Sequence, residues 1–298
     1  MEPSVDYSAE QDDLYYPCKR GNFFPNGRPK SEAMLCAEMA RLAYCKQEGS
    51  FAFDREKIAD KLNRIGFAKC QFLESRGTQQ GEGLHCFLAM REDSQKQNEL
   101  AVLAFRGTDK DDPTDLAYDV DFHPERWGRN GGKVHGGFAH AFADLQKEQP
   151  LDQLLQPFTC RVLYTGHSLG AALATLAASL WPPQALYTIG SPRVGDSVFV
   201  GTLSQVECHR YVDCCDIVTR IPLEELGFAH CGKPYYINRH RAVVFNPNSL
   251  TIALDRFLAA REYFAKYTWM LGKVPLRELA DHSPINYVWA ITADERIS

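Results

Sequence analysis

Gly166-His167-Ser168-Leu169-Gly170 sets one hydroxyl side chain between two glycines, directly after the apolar run CRVLYT and directly before the helix formers LGAALATLAASL. A chain that leaves a strand and enters a helix within these residues must turn sharply, which forces the central serine into strained backbone geometry. Side chains two positions either side would collide, so both flanking positions require glycine. The turn lifts the Ser168 hydroxyl clear of the strand end and leaves helix-start N–H groups, that of Leu169 first, facing the space above it. Such a spot suits nucleophilic attack on a carbonyl carbon. The five-residue pattern alone is weak, since chance supplies it in about one chain in ten of this size. The strand before it and the helix after it carry the inference.

A serine hydroxyl needs a base, and the base needs a carboxylate that holds its ring. On such a turn the acid follows the serine in the chain and the base follows the acid. Past Ser168 the histidines are His209, His230, His240 and His282. Asp216, in DCCDIVTRIP, falls just beyond the strand-like CHRYVD, where the acid belongs. Asp196 reads as a helix cap, and Asp213 still lies in the strand. With Asp216 as acid, His209 comes too early. His230 and His240 sit near expected edge strands, whereas His282 lies on a C-terminal loop, so chain order favours His282 and leaves the other two open. Cys214-Cys215 come nearest to a metal-ligand pair. They lack spaced partners and read as two packed thiols, so neither a metal nor an organic cofactor is expected.

These residues need a scaffold that sets strand ends and helix starts side by side. Residues 1–30, rich in Pro, Gly, Asn and aromatics, read as an irregular wrap. Ser31 caps the helical pattern SEAMLCAEMARLAYC, and a second helix is expected from Asp54 to about Ile65. Strand-like runs follow at 69–75, 84–90 and 100–105. After a polar connection come a helix at 134–148, a strand at 160–166, a helix at Leu169–Leu180, a strand at 185–190, a short helix at 194–203 and a strand at 208–213. YYINR and AVVFN suggest a hairpin at the sheet edge. A long helix is expected from Ser249 to about Leu271, with apolar residues at 254, 257, 258, 264, 267 and 271 on one wide face, which such a helix usually packs into the core and otherwise uses as a wall of the acyl cleft or against membrane. Strands alternating with helices of this length make a mostly parallel sheet covered by helices, an α/β fold. No composition break divides residues 1–298, which read as a single domain.

The 298 residues carry a net charge of −5, which gives no basic footprint for a nucleic-acid partner. MEPSVDYSAEQDD lacks the basic and apolar regions of a secretory leader, so a cytoplasmic location is expected, although export without a leader, or a trimmed one, would leave the same sequence. The longest weakly apolar run, Ala171–Trp181, is too short to span a bilayer. The ten cysteines are spread through expected helices and strands and read as reduced, mostly buried thiols. Oligomeric state has no signature in the sequence.

FRGT (105–108), VHGGF (134–138), YTGHSLGAALATLAA (164–178), YTIGSPRVGD (187–196), DCCDIVTRIP (213–222), GFAHCGKPYYI (227–237) and DHS (281–283) together resemble the class 3 lipases, the fungal-type α/β-hydrolases, in the family's order. The resemblance implies the α/β-hydrolase fold and a serine carboxylic-ester hydrolase acting on acylglycerol-type esters. It implies Ser168 as nucleophile, Asp216 as acid and His282 as base, with Gly166, His167 and Gly170 completing the elbow. Thr108, after FRG, would be one oxyanion donor and the Leu169 N–H the other. A rival reading takes His135-Gly136-Gly137 as the oxyanion loop, but this stretch opens an expected helix and His135 reads as a buried, hydrogen-bonded residue. A phospholipase A1 could use the same residues, and an inactive lipid-binding protein could keep the fold. An acyl ester or lipid is the expected partner, with transient membrane-surface contact. The family's lid segment is here DKDDPTDLAYDVDFHPERW (109–127). Its aspartates read as a solvated loop repelled by anionic lipid, so broad activity on short or medium acyl esters is expected without strong interfacial activation.

Overall fold

The computed structural model describes residues 5–75, 83–92, 98–107, 123–128, 131–155 and 160–294. Short apolar runs form the strands. The main sheet joins β1 (Lys69–Glu74), β2 (His85–Glu92) and β3 (Asn98–Phe105) to β6 (Arg161–His167), β7 (Ala185–Ile189), β9 (Glu207–Asp213), β11 (Pro234–Ile237) and β12 (Val243–Phe245), in that spatial order. Strands β3, β6, β7, β9 and β11 run parallel, while β1, β2 and β12 add antiparallel edges. The β11–β12 pair is the hairpin expected at the edge. A small antiparallel sheet holds β4 (Pro124–Arg126), β5 (Lys133–His135), β8 (Gly195–Asp196) and β10 (Phe228–Ala229).

Successive residues of a strand point to opposite faces, and here that splits the core in two. Phe87, Val102 and Leu163 face one side with Leu35 and Met39 of α2 (Glu32–Leu42) and Val288 and Ile291 of α10 (Pro284–Ala293). Leu88, Leu103 and Tyr164 face the other, with Phe138 and Phe142 of α4 (Gly136–Glu148) and Leu173 and Leu176 of α6 (Leu169–Leu180). Covered on both faces, β7 is buried at every position, as expected of a parallel central strand. The remaining helices are α1 (Gln11–Tyr15), α3 (Arg55–Arg64), α5 (Leu151–Leu154), α7 (Ser197–Gly201), α8 (Ser249–Lys266) and α9 (Arg277–Ala280). Among the described residues no helix is long and apolar enough to cross a membrane.

Ser31 and Asp196 cap their helices as expected, accepting from the N–H of Met34 and Phe199. Five expectations differ from what is observed. Residues 1–30 are not irregular throughout, since Gln11–Tyr15 form the short helix α1. VHGGF splits into the end of β5 and the start of α4. The expected helix at 194–203 shrinks to α7, because Gly195–Asp196 pair with β10 instead. The long helix ends at Lys266, and its apolar face is not packed inside: Leu254, Phe257, Phe264 and Leu271 are exposed, while Asp255, Ala259 and Tyr263 are buried. The Asp255 carboxylate sets that rotation, accepting from Arg239 Nη1 (2.8 Å), the Arg239 N–H (3.0 Å) and Tyr236 Oη (2.9 Å). Finally, the cysteines are not all reduced. Cys18 and Cys45 form a disulfide that ties the N-terminal segment to the chain just past α2, a pairing that 27-residue spacing does not signal.

Candidate active site

Ser168 sits between β6 and α6 at φ +58° and ψ −129°, a conformation that side chains other than glycine's rarely adopt. The flanking glycines are sterically required. A Cβ on Gly166 would strike the Gly170 backbone and come within 2.7 Å of the Ala171 nitrogen, and one on Gly170 would strike Phe105 O on β3. Leu169 opens α6, so its N–H has no intrahelical carbonyl to bond.

Asp216 lies just past β9 and is fully buried. His282 Nδ1 donates to its carboxylate oxygens at 3.0 and 2.9 Å. The same carboxylate accepts from the Val218 N–H at 2.9 Å and from Tyr287 Oη at 2.6 Å, so its lone pairs are spoken for and its orientation is set. The other histidines are used elsewhere. His209 stacks on Tyr187 and bonds Glu207, His230 donates to Thr219 O (2.8 Å), and His240 lies in an exposed turn. Asp213 is a buried structural carboxylate paired with Arg241 at 2.6 Å. Of the four histidines past Ser168, His282 is the one brought to Asp216.

A second layer fixes both loops. His167 Nε2 donates to the His282 carbonyl at 2.8 Å, which makes Nδ1 the bare nitrogen that accepts from Tyr44 Oη at 2.7 Å. Burial, reinforced by the nearby His282 ring, holds the His167 pKa well below its ordinary value, so the ring stays neutral. Gly107 allows this approach, since a Cβ there would strike Tyr44 Oη and lie 2.8 Å from His167 O. On the far side, Asp281 accepts from Tyr7 Oη (2.8 Å), the Cys215 N–H (2.9 Å) and Arg277 Nε (3.1 Å). Asn286 exchanges hydrogen bonds with the Ser8 backbone, and Ser283 donates to Asp13 O. The N-terminal segment thus straps the loop that carries His282.

Residues 102–226 match the family model described as lipase (class 3). The lipase of Rhizomucor miehei is 38% identical over 122 residues, covering 36% of this chain and 34% of its own length. Lipase II from Rhizopus niveus superposes with a TM-score of 0.54 at 26% identity, covering 69% of this chain and 79% of that one. A triacylglycerol lipase whose catalytic centre is described as a serine-protease triad superposes at 0.51 with 27% identity, covering 69% and 79%. The chain is related to the class 3, fungal-type lipases. It spans about a third of the length of the Rhizomucor relative. The class 3 lipase match takes in Ser168, Leu169 and Asp216 but stops before His282, whose place beside Asp216 rests on geometry alone.

Thr108 and residues 109–122 of the aspartate-rich stretch lie outside the described residues. His135 is buried with its ring stacked 4.2 Å from Phe138, a packing role. Cys214 and Cys215 are buried with their sulfurs 3.7 Å apart. With Asp281 they could offer three metal ligands, but its carboxylate is already bonded to Tyr7, Cys215 and Arg277. Tyr287, Tyr44, Asp281 and the strap escaped the sequence reading. Only Tyr287 left a signal, as the tyrosine of the buried helix that begins directly after His282.

Proposed function

We propose that this chain is a serine carboxylic-ester hydrolase that cleaves acylglycerol-type esters through an acyl-enzyme on Ser168. The observation that carries the reading is the buried Asp216–His282 pair, the base's loop being tied through His167 to the residue next to the strained serine. Its relatives' names, lipase and triacylglycerol lipase, support the substrate class.

In this mechanism His282 takes the Ser168 proton as Oγ attacks the ester carbonyl, and Asp216 keeps the imidazole in the tautomer that can accept it. The Leu169 N–H and Thr108 stabilise the tetrahedral oxyanion. The protonated ring then returns its proton to the departing alcohol, and water activated by the same base releases the acid. Asp216 gives up lone pairs to Tyr287 and Val218 as well as to His282, which keeps it an acceptor through both steps.

The test compares wild type and Ser168→Ala on p-nitrophenyl esters from acetate to palmitate, with labelling by a fluorophosphonate probe. Turnover should fall by about 10⁴–10⁶ in the variant, labelling should vanish, and short or medium chains should be preferred. Equal behaviour of the two proteins would sink the reading and leave lipid binding without turnover. Release of fatty acid from phosphatidylcholine but not from acylglycerols would replace the substrate with a phospholipid.

A further inference from the structure

Helix α8 leaves its apolar side in solvent. Leu250, Leu254, Phe257 and Phe264 recur at spacings of four, three and seven residues, which draws one stripe along the helix. The stripe is about 21 Å long. Leu250 is 78% exposed and Phe257 66%. Beyond the helix end the stripe continues into Trp269, also 78% exposed and edge-on to Phe264 at 5.4 Å between ring centres, and Leu271. Scattered exposed apolar residues need no account, but a contiguous run of this size marks a contact surface.

The charges say which contact. Both acids of α8 are engaged with Arg239, Asp255 at 2.8 Å and Glu262 at 3.5 Å. The cations Arg261 and Lys266 have no acidic partner among the described residues. Arg261 falls within the stripe itself, whereas Lys266, three residues past buried Tyr263 and seven past buried Ala259, lies on the other side of the helix over the Tyr267 ring. In a chain of net charge −5, this face presents aromatic and aliphatic side chains with one uncompensated charge, the Arg261 cation. A second copy packed on the same stripe about a two-fold axis would bring the two Arg261 cations together. Long cationic stems that lie along apolar surface and lift their heads to phosphate level suit a lipid interface.

We propose that the outer face of α8, with the Trp269–Leu271 turn, docks this protein on the surface of an anionic phospholipid bilayer. Leu250, Leu254, Phe257, Phe264 and Trp269 enter the headgroup boundary, and Arg261 meets lipid phosphates and serine carboxylates. The aspartates of 109–127 carry the opposite charge, so the attraction belongs to this face and weakens with salt. The proposal rests on the ester-hydrolase reading only for its consequence, that substrate is drawn from the bilayer.

The test is sedimentation of the full chain with phosphatidylcholine vesicles and with 70:30 phosphatidylcholine:phosphatidylserine vesicles, alongside light scattering of the free protein and hydrolysis of soluble p-nitrophenyl butyrate. Wild type should partition about fivefold better into the anionic vesicles, with an advantage that shrinks between 0.1 and 0.5 M NaCl. Arg261→Gln should remove most of this preference, and Lys266→Gln should leave it in place. Phe257→Ser with Trp269→Ser should weaken binding at least tenfold while butyrate hydrolysis stays unchanged. The proposal is overturned if wild type ignores both vesicles, or if the Phe257/Trp269 variant binds as well as wild type. It is also overturned if wild type is a dimer that these substitutions turn into a monomer without vesicle binding. Loss of butyrate turnover in wild type itself would strike the hydrolase reading and leave the docking result standing.

Discussion

The φ of +58° at Ser168 lies in a region that stores about 1–3 kcal/mol for a residue with a side chain. Removing the side chain should release part of it. Ser168→Gly, inactive on esters, is expected to be about 1 kcal/mol more stable than wild type after glycine's own entropy is set against the relief, read as a rise of a few degrees in Tm. A lower Tm would mean that the serine is not strained. The opposite outcome is expected at Tyr287, whose hydroxyl donates to Asp216 and accepts from the Asp213 N–H at 2.9 Å. Tyr287→Phe leaves a buried N–H and a buried carboxylate oxygen short of a partner and should lower stability by about 1–3 kcal/mol, with a fall in ester turnover, measured by thermal unfolding and by kcat. Ser168 and Asp216 were legible because a strained turn and a strand end leave marks in the residue order. His282 was favoured by order but singled out by its contact with Asp216. Tyr44 and Asp281 were not legible, since a hydrogen bond across 123 or 274 residues leaves no periodicity.

At the scale of elements, the alternation of strands and helices announced the parallel sheet, and Ser31 and Asp196 marked helix starts. What failed was orientation. The period of α8 was readable, but the side turned inward was set by Asp255, whose partners Tyr236 and Arg239 arrive from the β11–β12 region. A hydrophobic pattern alone names a face and assumes that it is buried. The Cys18–Cys45 disulfide was equally invisible. It closes a loop of 27 residues, for which chain-entropy arguments give about 3–4 kcal/mol. Cys18→Ser should therefore unfold at lower urea with a similar slope, and a reducing agent should bring wild type to the same midpoint. A midpoint indifferent to both would remove the bond from the native protein. Gly170→Ala sets α6 against Phe105 O of β3 and should destabilise by about 1–3 kcal/mol, checked in the same unfolding series.

For the molecule as a whole, several histidines are held neutral. Burial pulls His167 and His230 well below the usual imidazole range, and burial with the Arg106 charge brings His85 down to about 4. A neutral-held histidine adds nothing to the pH dependence above about 6.5, where folded and unfolded chains are both unprotonated. Below that the unfolded chain takes up protons that the folded chain refuses, so stability falls with pH. Three such groups should remove about 3 kcal/mol between pH 6.5 and 5.5, partly offset by Asp213, whose carboxyl burial pushes up to about 7. Calorimetric scans across that interval check it, and a flat Tm would show the rings to be protonated in the folded state.

The strap has a consequence in time. Ser8 meets Asn286 across 278 residues, and Tyr7 meets Asp281 across 274. At 5–20 residues per second, a ribosome needs roughly 15–55 s to make the interval between them. While those residues are being made, Tyr7 and Ser8 have no dock, and Ser168 and Asp216 precede the histidine set beside the acid. Under the ester-hydrolase reading the polypeptide therefore stays chemically silent until residues 281–286 have been made, and the strap can close only then.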